Sequence, residues 1–117
     1  MPTIYKLLGQ KAPGNTWTDL YVPGTSPATS SVISSIVVCN TGSIDRKFSI
    51  AVVEASGKTP STSGSLAFDT PVLSNDSVVL SMGITLGPGN ALRVYASGSG
   101  TTSPGDVGFS AFGTEIT

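Results

Sequence analysis

The sequence predicts an all-β chain, a single antiparallel β-sandwich of about eight short strands with jelly-roll or Ig-like connections. Three observations carry this reading. Short apolar segments recur every 10 to 15 residues along the 117-residue chain, the spacing of a sandwich or barrel. Gly and Pro occupy 22 positions and fall between short apolar segments, as punctuation for turns, instead of inside one low-complexity tail. No window shows a helical apolar stripe, and β-branched Val, Ile and Thr are frequent throughout.

The strands follow in order at 3–8, 17–22, 32–39, 47–54, 65–68, 77–82, 91–96 and 107–112, within one domain spanning 1–117 whose two ends are free to act as terminal arms. In 47–54, Phe48, Ile50 and Val52 fall on one face and Lys47 and Ser49 on the other, a period of two. Leu92, Val94 and Ala96 alternate with Arg93, Tyr95 and Ser97 in the same way. The segment 32–39 is apolar on both faces apart from Ser34 and Ser35, which predicts a central strand covered on both sides. Asn40-Thr41-Gly42 ends that strand with two residues that tolerate positive φ, and Leu86-Gly87-Pro88-Gly89-Asn90 forms a turn. Pro71 removes a ladder donor, so 69–71 belongs at a strand end or on an edge. Small and polar residues mark long loops at 23–31, 56–65 and 98–105.

Composition excludes much chemistry. Only 13 residues are Asp, Glu, Lys or Arg, none is His, and 18 Ser with 14 Thr supply most of the polarity. Without His there is no imidazole base, no imidazole metal ligand and no side chain that ordinarily titrates near neutrality. The acids Asp19, Asp45, Glu54, Asp69, Asp76, Asp106 and Glu115 are dispersed with no dyad spacing, and 75–77 lacks the pattern of a calcium loop. The expectation is no catalytic residue, no metal and no cofactor. A net charge of -1 with scattered basic residues argues against nucleic acid, and no apolar run reaches membrane-span length. The first ten residues lack the apolar core of a signal peptide, so the chain reads as a cytosolically made, soluble protein.

Remaining candidates lie on surfaces. Cys39 reads as a buried structural thiol, and Arg46-Lys47 as a solvated turn or a salt bridge to a partner. Either Trp17, Tyr5, Tyr21 and Tyr95 form a sugar platform, or Trp17 is a core or interface anchor and the tyrosines sit at strand ends. Apolar residues at strand-like spacing mark both ends, Ile4 and Leu7 or Tyr5 and Leu8 at the start and Phe109, Phe112 and Ile116 at the finish. These ends either pair within their own sandwich or add to a neighbour's sheet edge. The partner-contact candidates are therefore Tyr5, Leu7, Trp17, Phe112 and Ile116.

The series Tyr5-Lys6-Leu7-Leu8-Gly9-Gln10, Thr18-Asp19-Leu20-Tyr21-Val22-Pro23 and Ser34-Ser35-Ile36-Val37-Val38-Cys39-Asn40 resembles small virion proteins of tailed bacteriophages, particularly those infecting cyanobacteria. Phe48-Ser49-Ile50-Ala51-Val52, Ala67-Phe68-Asp69-Thr70-Pro71 and the ending Phe112-Gly113-Thr114-Glu115-Ile116-Thr117 extend the likeness over nearly the whole chain. The resemblance implies a β-sandwich subunit present in many copies on the particle: a capsid cement (decoration) protein. Its partners would be the major capsid protein and copies of itself, as a homo-oligomer within the virion. The alternatives are a tail, baseplate or fibre-attachment module, and a carbohydrate-binding module that recognises the host.

Overall fold

The computed structural model describes residues 3–13, 16–60, 62–97 and 106–116. Eight strands form there: β1 (Thr3–Lys11), β2 (Thr18–Tyr21), β3 (Ser30–Asn40), β4 (Arg46–Val53), β5 (Ser65–Val72), β6 (Ser77–Leu86), β7 (Ala91–Ser97) and β8 (Val107–Ile116), with one 3-10 turn at Thr62–Gly64. They build two antiparallel four-stranded sheets, A in the order β1-β8-β3-β6 and B in the order β2-β7-β4-β5. First strand pairs with last, second with seventh, third with sixth and fourth with fifth, a ribbon rolled over on itself. That is jelly-roll topology and not the ABED/CFG grouping of an Ig domain. The predicted loop 98–105 lies outside the described residues.

Alternation fills the space between the sheets. Ile33, Ile36 and Val38 of β3 and Val107, Phe109 and Ala111 of β8 face Phe48 and Ile50 of β4 and Leu92, Val94 and Ala96 of β7. Phe48 and Phe109 meet edge to face across the core, 6.0 Å between centroids at 74°. Gly113 of β8 lets two backbones close: a Cβ there would stand 2.1 Å from the Val32 carbonyl oxygen.

Two expectations change. β3 is central, between β8 and β6, but only its inward face is buried; Val32, Val37 and Cys39 on the other face are half-buried, so Cys39 is not a core thiol. The strand is apolar on both sides although only one layer packs on it. Asn40 and Gly42 do not take positive φ; among the described residues the positive values are at Gly57, Asp69, Asn75 and Gly89. Asn40 is fully buried instead. Its Nδ2 donates to the Ile44 and Val72 carbonyls at 2.8 and 3.1 Å, and its Oδ1 accepts from Gly42 N–H at 2.9 Å. One amide thus joins the β3–β4 turn to the end of β5. The other predicted turn holds: Pro88 and Gly89, with φ of 83° at Gly89, are the central residues of a type II turn closed by Asn90 N–H on Gly87 O at 3.2 Å.

Edges behave as their residues require. Pro71 lies in β5, an edge strand paired only with β4. β1 pairs with β8 from Thr3↔Ile116 to Lys11↔Phe109, so the two ends pair within their own sheet. Where this pair approaches sheet B, Lys6 Nζ lies 2.6 Å from Glu115 Oε1, and Tyr21 O–H donates to Glu115 Oε2 while sharing a short contact with Ser31. Burial and the hydrogen bond to Glu115 push the Tyr21 hydroxyl up to about 12. Hydrogen bonds from Lys6 and then Tyr21 hold the Glu115 carboxyl below its ordinary value.

Asn40→Ala removes the donor to the buried Val72 carbonyl and to the part-buried Ile44 carbonyl, and should cost about 1–3 kcal/mol in chemical denaturation. Because the Glu115 pKa is depressed on folding, its stabilisation is present above the unfolded carboxylate pKa and is lost as pH falls through the folded value. Tyr21 has the opposite sign: its contribution is complete below the unfolded value of 10.0 and disappears as pH rises towards about 12. Urea midpoints across pH should show both limbs; Glu115→Gln flattens the acid one, and Tyr21→Phe the alkaline one.

Candidate functional site

Alternation along β7 turns Arg93 and Tyr95 to the outer face of sheet B, where Ala51 and Ser49 of β4 lie opposite them in register. Arg93 is largely buried at that surface, with 13% side-chain exposure, and it ties two other segments to β7. Its Nε lies 2.8 Å from Asp19 Oδ1, Nη1 donates to Lys58 O at 2.8 Å and Nη2 to Trp17 O at 3.0 Å. Ser56 also bonds Asp19, so the β4–β5 connection is drawn across the sheet towards β2. Trp17, just before β2, is thereby fixed through its backbone, and its ring sits 5.5 Å from that of Tyr95 at 38°.

The opposite side is shaped by a bulge. Phe48 pairs with Thr70 and Ile50 with Ala67, so Phe68 and Asp69 together oppose Ser49. Asp69 takes φ of 48° and donates its N–H to Ser49 Oγ at 3.0 Å. The irregularity leaves Phe68 72% exposed. Trp17, Tyr95, Phe68, Ser49, Lys47 and Asp69 then line a groove of about 550 Å³.

The outer face of sheet A is different in kind. Its rows, read across the strands, are Tyr5–Thr114–Val32–Thr85, Leu7–Phe112–Ser35–Ser81 and Gln10–Ser110–Val37–Val79. None of these residues carries a charge at neutral pH. Tyr5, Leu7 and Val79 are exposed, and the Tyr5 hydroxyl reaches Ser34 Oγ at 2.8 Å.

The five contact candidates therefore divide. Tyr5, Leu7 and Phe112 share the outer face of sheet A, Ile116 is half-buried at the end of β8, and Trp17 lies on sheet B. Of the four residues proposed as a sugar platform, only Trp17 and Tyr95 meet; Tyr5 is on the other sheet and Tyr21 is occupied with Glu115. Phe68, Lys47 and Asp69 were missed as partners of Trp17, because the bulge that presents Phe68 has only the unusual Asp69-Thr70-Pro71 run as its signal. Arg46 is no solvated turn: its Nη2 is 2.7 Å from Asp106 Oδ2 in the same chain. Carboxylates elsewhere cap turns, Asp45 accepting from Ser74 N–H at 2.9 Å and Asp76 from Ser77 N–H at 2.8 Å. Among the described residues no three His, Cys, Asp or Glu side chains gather where they could hold a metal ion, and no helix is long and apolar enough to cross a membrane.

No family model matches the chain, and no curated protein matches it. Similar solved structures include two from one virus. One is a chain in the structure of infectious bursal disease virus, Gx strain, with 14% identity and a TM-score of 0.46, covering 97% of this chain and 30% of that one. The other comes from the Gt strain of the same virus, with 14% identity, a TM-score of 0.44 and coverage of 97% and 29%. The present chain spans less than a third of the length of either.

Arg93→Met keeps the aliphatic stem and removes every polar contact of the clamp. It should lower stability by about 2 kcal/mol and release the β4–β5 connection, seen as faster amide exchange at 54–60 while the β3 amides stay protected.

Proposed function

We propose that the protein is a non-enzymatic structural component of a virion, and within that role a cement (decoration) protein seated on the major capsid protein lattice. The observation that carries the reading is the uncharged outer face of sheet A. Charged groups must be desolvated when a surface is covered, at a cost that their pairing often fails to offset. A face made of Ser, Thr, Val and aromatic residues has little of that cost, and its exposed Tyr5, Leu7 and Val79 add apolar area to bury. The whole-chain resemblance to small phage virion proteins and the absence of histidine support the same role.

Size indicates how such a contact would work. Four strands about 4.8 Å apart and about eight residues long at about 3.3 Å each give a footprint of about 500 Å². A standard interface buries about 800 Å² per partner. One such face is a weak anchor, so the mechanism relies on many copies bridging adjacent subunits and on avidity. The edges of β1 and β6 flank the face and could extend it by pairing with a neighbouring strand. A tail or baseplate location would use the same face in few copies per particle.

Val79 is 62% exposed, so Val79→Glu should change folding stability by no more than about 0.5 kcal/mol. It should abolish retention on purified particles, and particles lacking the protein should lose integrity at lower temperature or osmotic stress. Unchanged robustness of depleted particles would reject the cement role, and a copy number of only a few per particle would move the protein to the tail.

A further inference from the structure

We infer that the groove on the outer face of sheet B is a binding site for a neutral pyranose sugar. Its walls are aromatic: the Trp17–Tyr95 pair on one side and Phe68 on the other. Besides the Tyr95 hydroxyl and the Trp17 N–H, its polar groups are Lys47, Asp69 and Ser49. The volume of about 550 Å³ falls within the range of about 300–1,000 Å³ usual for small-molecule sites.

The chemistry of the lining selects the ligand class. Aromatic faces carry negative potential and attract partially positive C–H edges, which a pyranose presents along one flat side. Its hydroxyls then fall at the rim, where they donate to the Asp69 carboxylate and accept from the Lys47 ammonium. The two charges cancel, so neither an anion nor a cation is favoured overall. A phosphate-bearing ligand would meet Asp69, and a quaternary ammonium would meet Lys47. An aromatic or proline-containing peptide would satisfy the rings and leave both charges to water.

Two features show that the groove is built. The Arg93 clamp on Trp17 O holds the first wall before any ligand arrives, which lowers the ordering cost of binding. The second wall stands on a bulge whose Asp69 adopts a left-handed backbone, and this places a large apolar ring 72% in solvent with no core to serve. On the cement reading the groove points away from the lattice, since sheet B is the opposite layer of the sandwich. Binding by the isolated protein does not depend on that reading.

Trp17 is the single tryptophan of the chain, so its emission reports on the groove. The full-length protein should be titrated with the methyl glycosides of glucose, galactose and mannose, with N-acetylglucosamine and with oligomers of each, alongside a glycan array. A saturable emission change is expected with at least one of these sugars, tightening with oligomer length. Phe68→Ala and Asp69→Asn, the latter tolerant of the same backbone, should melt like the parent and weaken that binding about three- to tenfold each. The inference fails if no sugar changes the emission and the array shows no hits, if both variants bind as the parent does, or if only an aromatic peptide occupies the groove. Particle retention in the Val79→Glu variant is read independently, so either proposal can fail without the other.

Discussion

The structure depends on β8 lying inside sheet A. Residues Val107–Ile116 pair with β1 on one side and β3 on the other, so the last strand of the jelly roll stands beside the first and completes the layer. Its inward residues shape the core: Phe109 reaches Phe48 of the opposite sheet, and Gly113 allows the close approach to the bulged part of β3. At its far end Glu115 ties Lys6 of β1 to Tyr21 of β2, linking the two layers where their edges meet. These contacts join segments about 60 to 110 residues apart in sequence, so the fold is dominated by long-range pairing and its closure entropy is met late.

The few charges are placed where the layers need fastening. Lys6–Glu115 sits at the β1 edge, Arg46–Asp106 joins the start of β4 to the approach to β8, and Arg93–Asp19 anchors β2 and the β4–β5 connection. Half of the six basic residues are used this way. Consequently the outer face of sheet A is left uncharged, while that of sheet B carries the clamp and the rim of the groove. Two outer surfaces of opposite chemistry arise from one small set of ion pairs.

Much of the fold was legible because its signals are local. Short apolar segments between Gly and Pro turns, with period-two alternation in β4 and β7, located all eight strands, and the Pro-Gly pair marked the type II turn. Strand ends were less accurate for physical reasons. The segment 65–68 continues to Val72, since an edge position accommodates Pro71 and a bulge accommodates Asp69. β6 and β8 run on to Leu86 and Ile116, through Gly and Thr residues that weaken local propensity but are carried by partners on the neighbouring strand. The site was less legible. Trp17 and Tyr95 are 78 positions apart and meet only because β2 pairs with β7.

By itself the sequence determined that the chain is all-β, that it lacks imidazole chemistry, and which residues share a face in β4 and β7, because periodicity and composition are properties of neighbours along the chain. Tertiary structure alone decided between jelly-roll and Ig-like connection, which depends on which strands pair across long separations. It also decided that the outward side of β3 is a surface and not a second core. A strand's alternation names two faces without saying which is covered, and only the position of the other sheet settles that.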